Sequence, residues 1–137
     1  MSIREISPED TYSIRHQVLW SHKSIEFVKI NEDTEGVHYG LFEFDTLVSV
    51  ISLFYNENEV QFRKFATLRG YQGRGLGSAL LRFVFQEAKN KGVQRIWCNA
   101  RVTKKDFYTR FGMVETETVF TKEDVAYVVM ECVFYSV

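Results

Sequence analysis

Gly73, Gly75 and Gly77 alternate through Tyr71-Gln72-Gly73-Arg74-Gly75-Leu76-Gly77-Ser78, where an apolar strand-like run gives way to a strongly helical one. A chain with this junction must end a strand in a tight turn and begin a helix at once, because glycine tolerates the positive φ that such turns need. The first N–H groups of a helix have no intrahelical partners, and the aligned peptide dipoles leave about half a positive charge there. A phosphate can therefore dock without a lysine. Glycines at 73, 75 and 77 also lack the Cβ that would hold ligand oxygens away from the backbone. The expected ligand carries phosphate.

The flanking patterns supply the rest of the fold. After the turn, Leu76, Ala79, Leu80, Phe83 and Val84 match the i, i+3, i+4, i+7, i+8 spacing of a helix laid on a sheet, and Leu81, Phe85 and Ala88 widen its apolar surface. Lys89-Asn90-Lys91-Gly92 ends it with cations in the last turn and glycine beyond. Before the turn, His38 to Phe44, Leu47 to Tyr55 and Val60 to Thr67 read as strands. Asp45-Thr46 and Asn56-Glu57-Asn58-Glu59 separate them, which predicts an antiparallel meander. Upstream, Ile3 to Ile6 reads as an edge strand, and Ser7-Pro8-Glu9-Asp10 opens a helix with a core face of Tyr12, Ile14, Val18 and Leu19. Trp20 to Val28 has no clear period and reads as a mobile loop or short helix, and Glu32 to Gly36 as a polar break. Downstream come a strand at Val93 to Ala100, parallel to Val60–Thr67, and a helix at Lys104 to Phe111 stopping at Gly112. A final pair of strands, Met113 to Phe120 and Val125 to Phe134, flanks Thr121-Lys122-Glu123-Asp124.

At 137 residues the chain is the size of one domain, 1–137. A net charge of −1 lacks the basic excess that would favour nucleic acid or an anionic membrane as main partner. The N-terminus has no apolar core of a signal peptide, and no run approaches the roughly 20 apolar residues of a membrane span, so a cytoplasmic protein is expected. Cys98 and Cys132 lie in apolar strand-like runs and read as inert core thiols; no metal is expected.

Two phosphate-binding fingerprints fail on the glycine turn. G-x-G-x-x-G meets Ser78 when started at Gly73 and Leu80 when started at Gly75, and no Gly-Lys-Ser or Gly-Lys-Thr closes a nucleotide P-loop. What stands is Gln72-x-x-Gly75-x-Gly77 between a meander and a helix, which resembles the acyl-CoA pyrophosphate motif of the GCN5-related N-acetyltransferase (GNAT) family. A second match follows: Asn99-Ala100-Arg101 at a strand end, then Phe107-Tyr108-Thr109-Arg110-Phe111-Gly112-Met113, with Met113 where the family usually has phenylalanine. The order β-α-βββ-α-β-α-ββ fits too, and only Trp20 to Glu35 matches loosely. A glycine turn alone is often merely structural; the paired motifs argue otherwise.

The resemblance implies an α/β (α+β) fold with a mixed, mostly antiparallel central sheet of six to seven strands and about four helices. It implies direct acetyl transfer from acetyl-CoA, a co-substrate, to a primary amine on a small molecule or peptide. In that scheme the backbone around Gln72, Gly73, Arg74, Gly75, Leu76, Gly77 and Ser78 holds the pyrophosphate, with Arg74 the best placed cation. Phe65, Ala66 and Thr67 pair with the pantetheine amides as with another strand, and the same edge offers an N–H to the thioester oxygen. Asn99 contacts the pantetheine arm and Phe107 packs near it. Tyr108 is the candidate general acid; its ordinary pKa near 10 exceeds a thiol's by about 1.5 units, an uphill transfer of about 2 kcal/mol. The acceptor amine is mostly protonated at pH 7, which costs about 4.6 kcal/mol. His38, with a near-neutral ordinary pKa, is a candidate base, alongside a water relay or a desolvated pocket. Glu26, Glu32, Asp33 and Glu35 could attract a cationic amine.

Rival readings are a non-catalytic acyl-CoA-binding sensor, which would keep the turn and lose the acid, and a nucleic-acid module using Arg63, Lys64, Arg69 and Arg74. Tyr108 argues against the first and net charge against the second. A homodimer is compatible with the pattern.

Overall fold

A computed structural model describes residues 1–134. Its elements run β1 (Ser2–Ile6), α1 (Pro8–Leu19), β2 (Val37–Glu43), β3 (Thr46–Asn56), β4 (Glu59–Thr67), α2 (Leu76–Asn90), β5 (Arg95–Arg101), α3 (Lys105–Thr109), β6 (Val114–Lys122) and β7 (Val125–Val133). The strands form one sheet in the order β1-β2-β3-β4-β5-β7-β6. β4 and β5 pair in parallel over Glu59–Gln61 and Arg95–Trp97, as a strand–helix–strand crossover requires. The pairs β1/β2, β2/β3, β5/β7 and β6/β7 are antiparallel. The mixed, mostly antiparallel sheet matches expectation. Three α-helices are described instead of about four, because Trp20 to Val28 supplies only a 3-10 turn.

The residues pack as two compact units, Met1–Phe54 with Phe62–Val84, and Tyr55–Gln61 with Phe85 onward. In the first, Ile14, Val50 and Ala66 form a cluster joined by Ile6, Val18, Leu19, Leu47 and Leu68. Leu80, Leu81 and Val84 of α2 are fully buried, as their helical spacing predicted. In the second, Ile96, Cys98 and Ala100 of β5 alternate inward and join buried Met113, Val128 and Met130. Each such fully buried aliphatic side chain contributes about 1.5–3 kcal/mol.

Trp20 to Val28, read as a mobile loop or short helix, ends in the 3-10 turn Ile25–Val28, and a second 3-10 turn, Asn31–Glu35, follows; Trp20 and Val28 are buried. The Trp20 and Phe27 rings meet edge-on at 5.0 Å. The expected polar break at Glu32 to Gly36 hides a buried carboxylate, Asp33, which salt-bridges buried Arg15 of α1 at 2.8 Å. A charged residue at a core position of α1 is invisible to a pattern that counts apolar side chains.

Candidate active site

The residues singled out by sequence fall into two clusters, one in each unit. In the first unit, β4 carries Lys64 at φ 56, a left-handed conformation in mid-strand that costs a non-glycine residue energy. On the same strand Phe62 and Phe65 meet edge-on with ring centroids 6.4 Å apart, while Ala66 packs into the cluster with Ile14 and Val50. The end of β4 is pinned from β3. Buried Ser49 donates to the Ala66 carbonyl at 3.1 Å and shares a hydrogen bond of 2.8 Å with the Thr67 hydroxyl, and the Leu68 N–H donates to the Val48 carbonyl at 2.9 Å.

A short 3-10 turn, Arg69–Tyr71, leads into the glycine turn, and the Gln72 side-chain amide donates back to the Thr67 carbonyl at 2.8 Å. Gly73 and Gly75 have φ of 77 and 78, and a Cβ on either would meet nothing within 4 Å. Positive φ explains both glycines, and the space beside their backbone is open to a ligand. Gly77 is there for another reason than the expected ligand approach: a Cβ would lie 3.2 Å from Thr67 Oγ1 and 3.4 Å from the Phe65 ring, so it permits close packing of α2 on β4. The Leu76, Gly77 and Ser78 N–H groups precede the first helical hydrogen bond, from Ala79 to Gly75 at 3.0 Å, and the first turn of α2 has no acidic residue. An unneutralised helix end beside open glycine backbone suits a diphosphate. Arg74 is half exposed, its guanidinium 2.7 Å from Glu43 Oε1 and 5.4 Å from the Tyr71 ring centre.

In the second unit, β5 pairs with β7 in a register that sets Asn99 opposite Val129. Alternation leaves Asn99 exposed between buried Cys98 and Ala100. The short α3 follows, and Phe107 meets the Tyr108 and Phe111 rings at 5.3 and 5.2 Å. Half-buried Tyr108 accepts at its carbonyl from the Phe111 N–H at 3.0 Å, which closes the last turn of α3. Burial, then the neighbouring Cys98, pushes the Tyr108 phenol well above its ordinary value, and Arg101 opposes this only in part. The Cys98 thiol is itself pushed up to about 12 by burial. Both cysteines are unpaired in disulfides.

The base expected at His38 does not survive its surroundings. His38 is buried, its Nε2 donates to the Asp33 carbonyl at 2.8 Å, and its Nδ1 shares a hydrogen bond of 2.7 Å with the Ser52 hydroxyl. Both ring nitrogens are committed to structure. Asp33 likewise cannot attract an amine: Arg15 grips both of its oxygens at 2.8 and 2.9 Å while also holding the Val28 carbonyl and Ser52. Glu26 and Glu32 have cationic partners in Lys29 and Arg63. Among the described residues no group of three or more His, Cys, Asp and Glu could hold a metal ion.

A family model described as an acetyltransferase (GNAT) domain matches residues 12–134. A Bacillus subtilis protein described as the uncharacterized N-acetyltransferase YitI is 39% identical over 124 residues, covering 84% of this chain and 83% of its own. The fold is similar to the ribosomal-protein-S18-alanine N-acetyltransferase of Escherichia coli, with a TM-score of 0.84 at 19% identity over 99% of this chain and 95% of that one. It is also similar to an Elizabethkingia anophelis GNAT acetyltransferase solved with acetyl-CoA bound, with a TM-score of 0.75 at 15% identity over 97% of each.

Proposed function

The chain belongs to the GNAT family of acetyl-CoA-dependent N-acetyltransferases, and on that premise we propose that it passes the acetyl group directly to a primary amine, with Tyr108 as general acid. The observation that carries this reading is the glycine turn, whose two positive-φ glycines leave open backbone beside an unneutralised helix end. In the proposed scheme acetyl-CoA supplies the activated thioester. The amides from Gly73 to Ser78 and the Arg74 guanidinium bind its pyrophosphate, with Gln72 bracing the loop against β4. Phe65, Ala66 and Thr67 hydrogen-bond the pantetheine as an added strand, and an N–H of the same strand stabilises negative charge on the carbonyl oxygen. In the same scheme Asn99 and Phe107 contact the pantetheine arm, as the family resemblance implies.

Tyr108 holds the proton that the departing thiolate takes up. The raised phenol pKa looks unfavourable for an acid until the leaving group is considered in the same surroundings. Burial pushes the neighbouring Cys98 thiol up as well, to about 12, so the same surroundings disfavour a thiolate as they disfavour a phenolate. A thiol leaving group in these surroundings is shifted in the same direction as its proton donor, so burial does not by itself defeat the transfer. Acceptor deprotonation then falls to a water or to the acceptor's own desolvation, since His38 is fully engaged.

The test is Tyr108→Phe. A lost general acid lowers kcat by about a hundredfold while the acetyl-CoA dissociation constant changes little. Unchanged kcat would remove Tyr108 from the acid role.

A further inference from the structure

Glu43 presents a carboxylate to the one cation inside the glycine turn, an odd placement beside a phosphate site. We infer that Glu43 is a positioning residue for donor binding, holding Arg74 so that its free N–H groups meet the donor's phosphates. This rests on the reading of Arg74 as a pyrophosphate contact.

The geometry distinguishes positioning from competition. Glu43 is the last residue of β2, paired with Thr46 of β3 across the hairpin turn Phe44-Asp45, whose residues have φ of 49 and 67. Asp45 of that turn is tied to Arg4 at 3.2 Å. The carboxylate is thus carried on a paired backbone, and its side chain is only 16% exposed. Against it lies an Arg74 side chain 51% exposed, touched through Nη2 alone at 2.7 Å, with its guanidinium against Tyr71. A single-point contact leaves Nε and Nη1 of the planar fork for oxygen ligands. Two fixed neighbours also remove rotamer freedom that a loop arginine would otherwise lose on binding. Because the Glu43–Arg74 pair is near neutral, attraction for the phosphates falls to the helix end, and Arg74 contributes direction.

Donor kinetics test this with Glu43→Ala, Arg74→Ala and the double variant, each on acetyl-CoA and on S-acetylpantetheine, which lacks the pyrophosphate. Glu43→Ala should raise the KM for acetyl-CoA about threefold to tenfold with little change in kcat, a range set by the worth of a well-made exposed ion pair. The penalty should shrink with S-acetylpantetheine and disappear in the Arg74→Ala background. An unchanged or lower KM in Glu43→Ala, where Arg74→Ala raises it, overturns the positioning role alone. An equal penalty on both donors also overturns it, since that marks damage to the hairpin. An acetyl-CoA KM indifferent to Arg74→Ala defeats the underlying pyrophosphate reading together with the inference.

Discussion

Tyr108 lies where burial and the neighbouring Cys98 both disfavour a phenolate, and the consequence is a proton donor that stays loaded over a wide pH range. The sign follows from the raised pKa: the phenol remains protonated past its ordinary value of about 10 and is lost as donor only above that. The kcat profile of the enzyme, followed from pH 7 to pH 11, should therefore show no decline from Tyr108 ionisation below about pH 10. An alkaline limb centred near pH 8 that vanishes in Tyr108→Phe would contradict the assignment. A neighbouring prediction concerns the glycines. Gly75→Ala places a Cβ at φ 78 and should cost about 1 kcal/mol in urea unfolding, with weaker acetyl-CoA binding. Both residues were found by type and spacing. Glu43 and Ser49 are not legible in this way, because their partners Arg74 and Ala66 lie far away in sequence.

Among the elements, the segment between α1 and β2 departs most from its sequence reading, and charge is the reason. Arg15, Asp33, Ser52 and His38 form one buried hydrogen-bonded group joining α1, the second 3-10 turn, β2 and β3. Residue-by-residue polarity marks Arg15 and Asp33 as surface; only the pairing makes their burial tolerable. Burial on its own would raise the Asp33 carboxyl, but the Arg15 hydrogen bonds, the Ile30 N–H and the Arg15 charge outweigh it and hold the carboxyl below its usual value. A lowered folded pKa means that its contribution to stability is present above the ordinary carboxylate range and is lost as pH falls through the folded value. Asp33→Asn should destabilise the protein by about 3–5 kcal/mol at pH 7, since it strands a buried guanidinium, and the deficit should shrink below about pH 4. Urea melts of the two proteins at pH 7 and pH 3.5 check both statements. A deficit that persists undiminished in acid would mean that the Asp33 charge contributes nothing.

Across the whole chain, the strand and helix order was legible because periodicity and turn residues act locally. The seven strands lie within two residues of their expected bounds at every end, and α2 begins at Leu76 as its apolar spacing requires. The short α3 is the looser case, five residues where eight were expected, with a 3-10 turn at its start. The candidate site was legible in part: the turn and Tyr108 could be read from motif and order, whereas the commitment of His38 depends on Asp33 and Ser52, which only the fold brings to it. No helix of the described residues is long and apolar enough to cross a membrane. Donor chemistry that needs an amine is central to the proposed function. Release of free thiol from acetyl-CoA by the purified protein, measured across a panel of primary amines beside a binding titration of acetyl-CoA, tests it most directly. Thiol release that depends on the amine, and is slowed in Tyr108→Phe at equal acetyl-CoA affinity, is the predicted result; tight acetyl-CoA binding with no amine-dependent thiol release would contradict it.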